Sequence, residues 1–195
     1  MNHNQALGCP TRFPGCPTRS LGCPTRAGFA RVGFVATLLL LSLSSFAADA
    51  PRIDLDISQV EPRQLEDTTV KAIVRDYGAA WSIMTQALAE NRADLLPVAF
   101  IGYAHDKLAA KIEQQQKSGL RTRYLDRGHK LQALFYSPEG SSMQLRDTAQ
   151  FAIQLLDGDK VISEQNVTLQ YLSVMTVAED RWKVRILQAI PTDAK

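Results

Sequence analysis

Cysteine and histidine are the residues best able to ligate a metal or attack a carbonyl, and this chain has three of each. Cys9, Cys16 and Cys23 each lie in a Gly-Cys-Pro-Thr-Arg repeat with a seven-residue period. Zinc sites pair close thiolates, typically as Cys-x2-Cys, and this interval supplies no such pair. Gly and Pro in every copy also exclude a heptad coiled coil, so the repeat reads as duplicated sequence. His105 precedes Asp106, which makes it a candidate base at a pocket mouth; the same Asp106 at the head of a helix equally serves the helix dipole. His129, among Arg127 and Lys130, reads as a surface residue. Two histidines this far apart, with no cysteine beyond residue 23, imply no metal and no cofactor. Gly-rich phosphate loops, Gly-x-Ser-x-Gly and His-Glu-x-x-His are absent from the sequence.

A second set of candidates is aromatic. Tyr77, Trp81, Phe100 and Tyr103 could line an apolar pocket together with Tyr171, although aromatic stripes at helical spacing more often form plain core. Buried Tyr hydroxyls need partners, so Tyr77 and Tyr103 carry the most information. Arg121, Arg123, Arg127 and Lys130, interleaved with Tyr124, offer a patch for phosphate or an acidic protein and otherwise read as a solvated loop. Asn166-Val167-Thr168 matches a glycosylation sequon inside an expected strand.

The N-terminal region carries a different message. Arg26 and Arg31 precede the apolar run Gly33–Leu43, and Ser45-Phe46-Ala47 provides small residues where signal peptidases cut. The run is shorter than the ~20 residues of a spanning helix, so cleavage near Ala47 is expected, with the membrane met only during export. Residues 1–47 are therefore expected to be a repeat-containing presequence, and the mature protein periplasmic or secreted. The whole chain has 22 basic and 20 acidic residues, a net charge of +2. The presequence holds four arginines and no acid, which leaves the remainder 18 basic against 20 acidic, net −2 and free of cysteine. That composition excludes a disulfide scaffold and removes the bulk electrostatic argument for nucleic acid.

The elements that must position these residues follow from periodicity. Residues 48–66 form a linker or short edge strand, in which Ile53, Leu55 and Ile57 alternate with Asp54 and Asp56. From Asp67, Val70, Val74, Tyr77, Trp81, Met84 and Leu88 recur at spacings of three and four, giving a helix capped by Asp67 or Thr68. Gly78 within it implies a close backbone approach. A short helix over Asn91–Gly102, capped at Asp94, and another from Tyr103 to Ser118, burying Ala104, Leu108 and Ile112, precede Gly119 as a left-handed cap. Beyond Gly128 the period becomes two. Four strands result, with turns at Pro138–Ser141, Asp157-Gly158 and Glu179-Asp180. Trp182, Val184 and Ile186 are expected to face inward, while Arg181, Lys183 and Arg185 face water. The fold class is α+β, with three N-terminal helices packed on one curved antiparallel sheet and a tail at 192–195.

The aromatic first helix with Tyr77 and Trp81, the two shorter helices, and a meander closing on Asp180-Arg181-Trp182-Lys183-Val184 together resemble the nuclear transport factor 2-like superfamily, including its SnoaL-like proteins. The resemblance covers residues 67–191 as one cone-shaped domain. It implies a pocket at the open end of the cone, used in that superfamily by isomerases, dehydratases and hydrolases or for ligand and protein binding; the fold alone does not choose among these. The inward strand positions (Phe151, Ile153, Leu155, Val167, Leu169, Tyr171, Ser173, Met175) carry no carboxylate or imidazole. This weighs against acid–base catalysis, which needs a titratable group at the reacting atoms. The expectation is an exported, non-catalytic module that binds a small apolar ligand or an envelope protein through its cone or outer sheet face, with a homodimer formed through that face. The alternative is a small lyase, isomerase or hydrolase using Tyr77, Tyr103, His105 or Asp106.

Overall fold

The computed structural model describes residues 51–191, so the presequence, its cysteines and the last four residues lie outside the described residues. Strand β1 (Ile53–Asp56) and the two-residue β2 (Glu61–Pro62) precede α1 (Asp67–Glu90), a 3-10 segment (Ala93–Val98) and α2 (Gly102–Ser118). Four strands follow: β3 (Leu120–Tyr136), β4 (Ser142–Asp157), β5 (Lys160–Ala178) and β6 (Arg181–Ile190). The last four form an antiparallel meander in sequence order, and β1 and β2 run parallel to β3 at its other edge. The fold is thus α+β, helices on a curved sheet, as the periodicities require.

Helix α1 forms because its apolar positions make a single stripe. Ile73, Tyr77, Ala80, Trp81, Met84, Ala87 and Leu88 are all buried on the concave side of the sheet. Gly78 lies where β1 crosses, and a Cβ there would come within 3.1 Å of Ile53 Cδ1. The close approach expected at this glycine is therefore to the edge strand. The helix begins at Asp67 with Glu66 as its N-cap and no side-chain capping bond, so neither Asp67 nor Thr68 has the capping role assigned to it. Asn91 closes the helix in the left-handed conformation, a role Asn shares with Gly. Gly119 ends α2 the same way, at φ 72°.

Several local expectations are corrected. The short helix is a 3-10 segment that starts at Ala93 after Arg92, and Asp94 pairs with the Arg92 guanidinium at 2.7 Å instead of capping. Strand β3 begins at Leu120, so Arg121, Arg123, Arg127 and Lys130 belong to a strand and not to a loop. On β6, a bulge makes Arg185 an extra residue: Val184 pairs with Met175, but Ile186 pairs with Val174. Ile186 consequently moves to the outer face and Leu187, opposite Ser173, takes the inner one. Lys183 is buried rather than wet, and its ammonium donates to Pro97 O at 3.2 Å and pairs with the Glu179 carboxylate at 2.6 Å. Among the described residues no helix is both long and apolar enough to cross a membrane.

Candidate functional site

The inner face of the β3–β4 pair brings together groups that the sequence does not flag. Opposite the turn at Pro138–Ser141, Leu131 pairs with Asp147 and His129 with Ala149. Inward positions of the two strands alternate, so His129 and Asp147 become diagonal neighbours on one face. Helix α1 covers them with Tyr77 and Trp81. Asp147 Oδ2 accepts from the Tyr77 hydroxyl at 2.8 Å and lies 2.8 Å from His129 Nδ1. His129 Nε2 lies 2.9 Å from Asp126 Oδ2. The side chains of His129 and Asp147 have no exposed surface, and that of Asp126 is 19% exposed. A chain of hydrogen bonds therefore runs from the core (Tyr77, Asp147) through the imidazole to a carboxylate at the edge of solvent.

Aromatic rings enclose this chain. Trp81 lies 4.5 Å from the His129 ring, 5.8 Å from Phe151 and 5.4 Å from Tyr171, and Tyr124 adds a further edge-on contact to Phe151. Burial works against the imidazolium, but hydrogen bonds and charges from Asp126 and Asp147 outweigh it and hold the His129 pKa up at about 9. The histidine is therefore a cation at neutral pH, with both nitrogens donating. Burial and the Asp147 charge push the Tyr77 hydroxyl well above its ordinary value, and burial does the same to Tyr171, so both remain protonated donors. Asp126 and Asp147 occupy opposite nitrogens of one ring and do not converge on a point. Among the described residues no cluster of His, Cys, Asp or Glu could hold a metal.

A second buried carboxylate ties α1 to the last strand. Asp76 takes a two-pronged contact from Arg75 (2.8 and 3.0 Å) and accepts the Trp182 backbone N–H at 3.0 Å, with Arg181 at 3.6 Å. Burial raises its pKa, but these donors and charges overcome that and leave it lowered.

Of the residues proposed to line a pocket, Tyr77, Trp81 and Tyr171 meet around His129. Phe100 is buried elsewhere, where its backbone bridges to Val184. Tyr103 is half exposed beneath Lys107, and His105 pairs on the surface with Asp106 at 3.1 Å. The reason is helical phase: buried Ala104 fixes the inward direction of α2, and its two neighbours point roughly 100° to either side. The expectation that inward strand positions lack a carboxylate or imidazole is overturned by Asp147 and His129. The expected inward positions begin at Phe151, whereas the inner row of β4 continues through Ala149 to Asp147. Hairpin register brings the pair together: Asp147 stands directly opposite Leu131, and His129, two residues earlier in β3, is its diagonal neighbour on the same face.

Two open surface depressions lie among the described residues, and neither contains a residue of the buried chain. One, of about 270 Å³, lies on the outer sheet face between Asp54, Asp56, Lys130, Gln132, Arg146 and Thr148. The other, of about 460 Å³, lies between Pro97, Val98, Glu179, Arg181 and Lys183.

This α+β architecture, helices packed on one curved sheet, is the kind that the resemblance to the nuclear transport factor 2-like cone implies. The chain is similar to the intermembrane-space region of the chloroplast protein ARC6, with a TM-score of 0.54 and 17% identity over 67% of this chain and all of that one. It is also similar to a scytalone dehydratase candidate from Novosphingobium aromaticivorans, with a TM-score of 0.43 and 14% identity over 66% of this chain and 89% of that one. A dehydratase candidate of the NTF2-like family from Streptomyces avermitilis gives a TM-score of 0.42 and 11% identity over 64% and 99%. At 17% identity the likeness to the ARC6 region shows the fold alone and leaves the activity to the site. No family model matches the sequence, and no curated protein does.

Proposed function

We propose that this chain is an exported, non-catalytic interaction module whose cone is a filled scaffold and whose outer sheet face is the working surface. The observation that supports this reading is the state of His129. A general base must offer a free lone pair to the reacting atom. This imidazole is sealed from solvent, charged at neutral pH and bonded through both nitrogens to carboxylates. The outer face fits association between two copies: Leu172, Val174, Ile186 and Ile190 are half-buried there, with no covering element among the described residues. Export rests on the signal pattern around Gly33–Ala47, which argues for a periplasmic or secreted mature chain.

Mass measurement under native conditions on protein purified from its own host tests these points together. The expected species begins near Ala48, is a dimer and retains no small molecule. A strict monomer would remove the dimer, and an intact leader would remove the export reading.

One observation favours the alternative of a small lyase, isomerase or hydrolase. Asp147 Oδ1 is buried and has no hydrogen-bond partner among the described residues, so a carboxylate oxygen remains open inside the cone. Turnover of a carbonyl or hydroxyl substrate that disappears in Asp147→Asn, with the variant still folded, would establish the enzyme and overturn the module.

A further inference from the structure

The outer face of the sheet has an electrostatic division that the filled cone does not use. Register places Arg121, Arg123 and Leu125 on the outer side of β3, opposite Leu156, Gln154 and Ala152. A bulge at Asp126/Gly128 makes Arg127 the extra, exposed residue, after which Lys130 continues the outer row beside Thr148, with Arg146 next to Gln132. Arg121 is committed to Asp159 and to backbone carbonyls of Ala89 and Gly158. Arg123, Arg127, Lys130 and Arg146 have no ion pair among the described residues, and Arg146 touches only the Gln132 amide. Most of the other arginines with a polar role are paired: Arg63, Arg75, Arg92 and Arg181 each face a carboxylate. Four unpaired cations thus share one strip of a chain whose expected mature part is net acidic, around Leu125 and Phe135, both about two-fifths exposed.

We propose that the outer face of β3 and β4 docks an acidic, extended segment of a partner protein, with carboxylates meeting Arg123, Arg127, Lys130 and Arg146 and an apolar side chain against Leu125. This deepens the reading of the chain as an interaction module by naming the chemistry of its partner. Alternate residues of a strand stand roughly 6.6–6.8 Å apart, the same repeat as alternate side chains of an extended peptide laid along it. Guanidinium groups bind carboxylates through two parallel donors, which suits discrete acids better than a diffuse surface. Asp54 and Asp56 line the same depression as Lys130 and Arg146, and Glu164 shares the face two strands away. A uniformly anionic lipid surface would meet those carboxylates, whereas a peptide can thread between them. A second copy of the same strip would set cation against cation.

The test has two arms on the whole chain as its host makes it. A fluorescent oligo-glutamate containing one leucine is titrated at low ionic strength, about 0.01 M, where screening is weakest. The expected result is saturable binding weakened about tenfold or more in R123E/K130E, with backbone NMR shifts confined to β3 and β4. Binding unchanged in that variant, or shifts on another face, would overturn the proposal. So would equal or tighter binding to phosphatidylglycerol vesicles. In the second arm a photo-crosslinker at Leu125 is activated in host cells and the attached peptide sequenced. An Asp/Glu-rich peptide of another protein is expected; a peptide of this same chain, or one without acidic residues, would refute the docking. Because both arms read the outer face, their failure leaves the sealed cone and its test untouched. The R123E/K130E variant should keep the parent melting curve, which separates lost binding from lost fold.

Discussion

The two faces of the β3–β4 hairpin carry charge under opposite rules. On the inner face one imidazolium stands between two carboxylates, with a tyrosine hydroxyl on the second, and burial makes every one of those contacts compulsory. On the outer face, on the other side of the same backbone, four cations have no ion pair among the described residues. A buried charge must be matched within its own chain, so it reports on folding. A solvated charge needs no match and remains available to something else. The same strand pair therefore holds a sealed, fully matched cation on one side and unpaired cations on the other, and the difference separates scaffold from surface.

The comparison can be broken hardest at Asp147. Asp147→Ala strips one carboxylate from a sealed cation and orphans the Tyr77 hydroxyl, and urea unfolding should show a loss of about 3–5 kcal/mol. A loss below 1 kcal/mol would mean that the network is not compulsory. The histidine gives the next effect. Its folded-state pKa of about 9 lies above the ordinary 6.5, so its stabilisation is complete below about pH 6.5 and disappears as pH rises through 9. Unfolding curves from pH 6 to 10 should fall by something on the order of 3 kcal/mol. His129→Gln should flatten that dependence, and an equally steep fall in the variant would assign it to other groups. Asp76 is an intermediate case, a buried carboxylate held by exposed arginines. Asp76→Ala should cost about 1–3 kcal/mol through the unpaired Trp182 N–H, read as a lower melting temperature. Arg123→Ala and Lys130→Ala should change stability by no more than about 0.5 kcal/mol, and a larger drop would show that the outer cations are structural after all.

What the sequence reveals and conceals divides along the same line. Helix α1, the αL cap at Gly119 and the Asp157-Gly158 hairpin are legible because each depends on local chemistry: a 3.6-residue stripe, a missing Cβ, a two-residue turn. Bulges are not, because one extra residue reverses every later side chain, and this is why Ile186 takes the face opposite to the one expected; Lys183, ahead of the bulge, keeps its outer position and is buried there by contacts with Pro97 and Glu179. The polar centre of the cone was hidden for a related reason. Its parts come from positions 77, 126, 129 and 147, and each looks ordinary among its sequence neighbours; only the register of two strands and the crossing of α1 make them one object. His105, which reads as the more promising histidine, is at the surface because helical phase is set by the small residue beside it.

The bond from the Trp182 N–H to Asp76 spans 106 positions of the chain, and Val184 closes a further ladder with Ala99 and Ile101. During synthesis the first helix thus emerges long before the strand that fastens it. Strands β3 to β5 cover its Tyr77 and Trp81 end first, but the Asp76 tie is made only with β6, so the domain reaches its final form only after almost all of the chain exists. A protein built in this order stays threadable late, and its last ten-residue strand acts as the latch that ends that period.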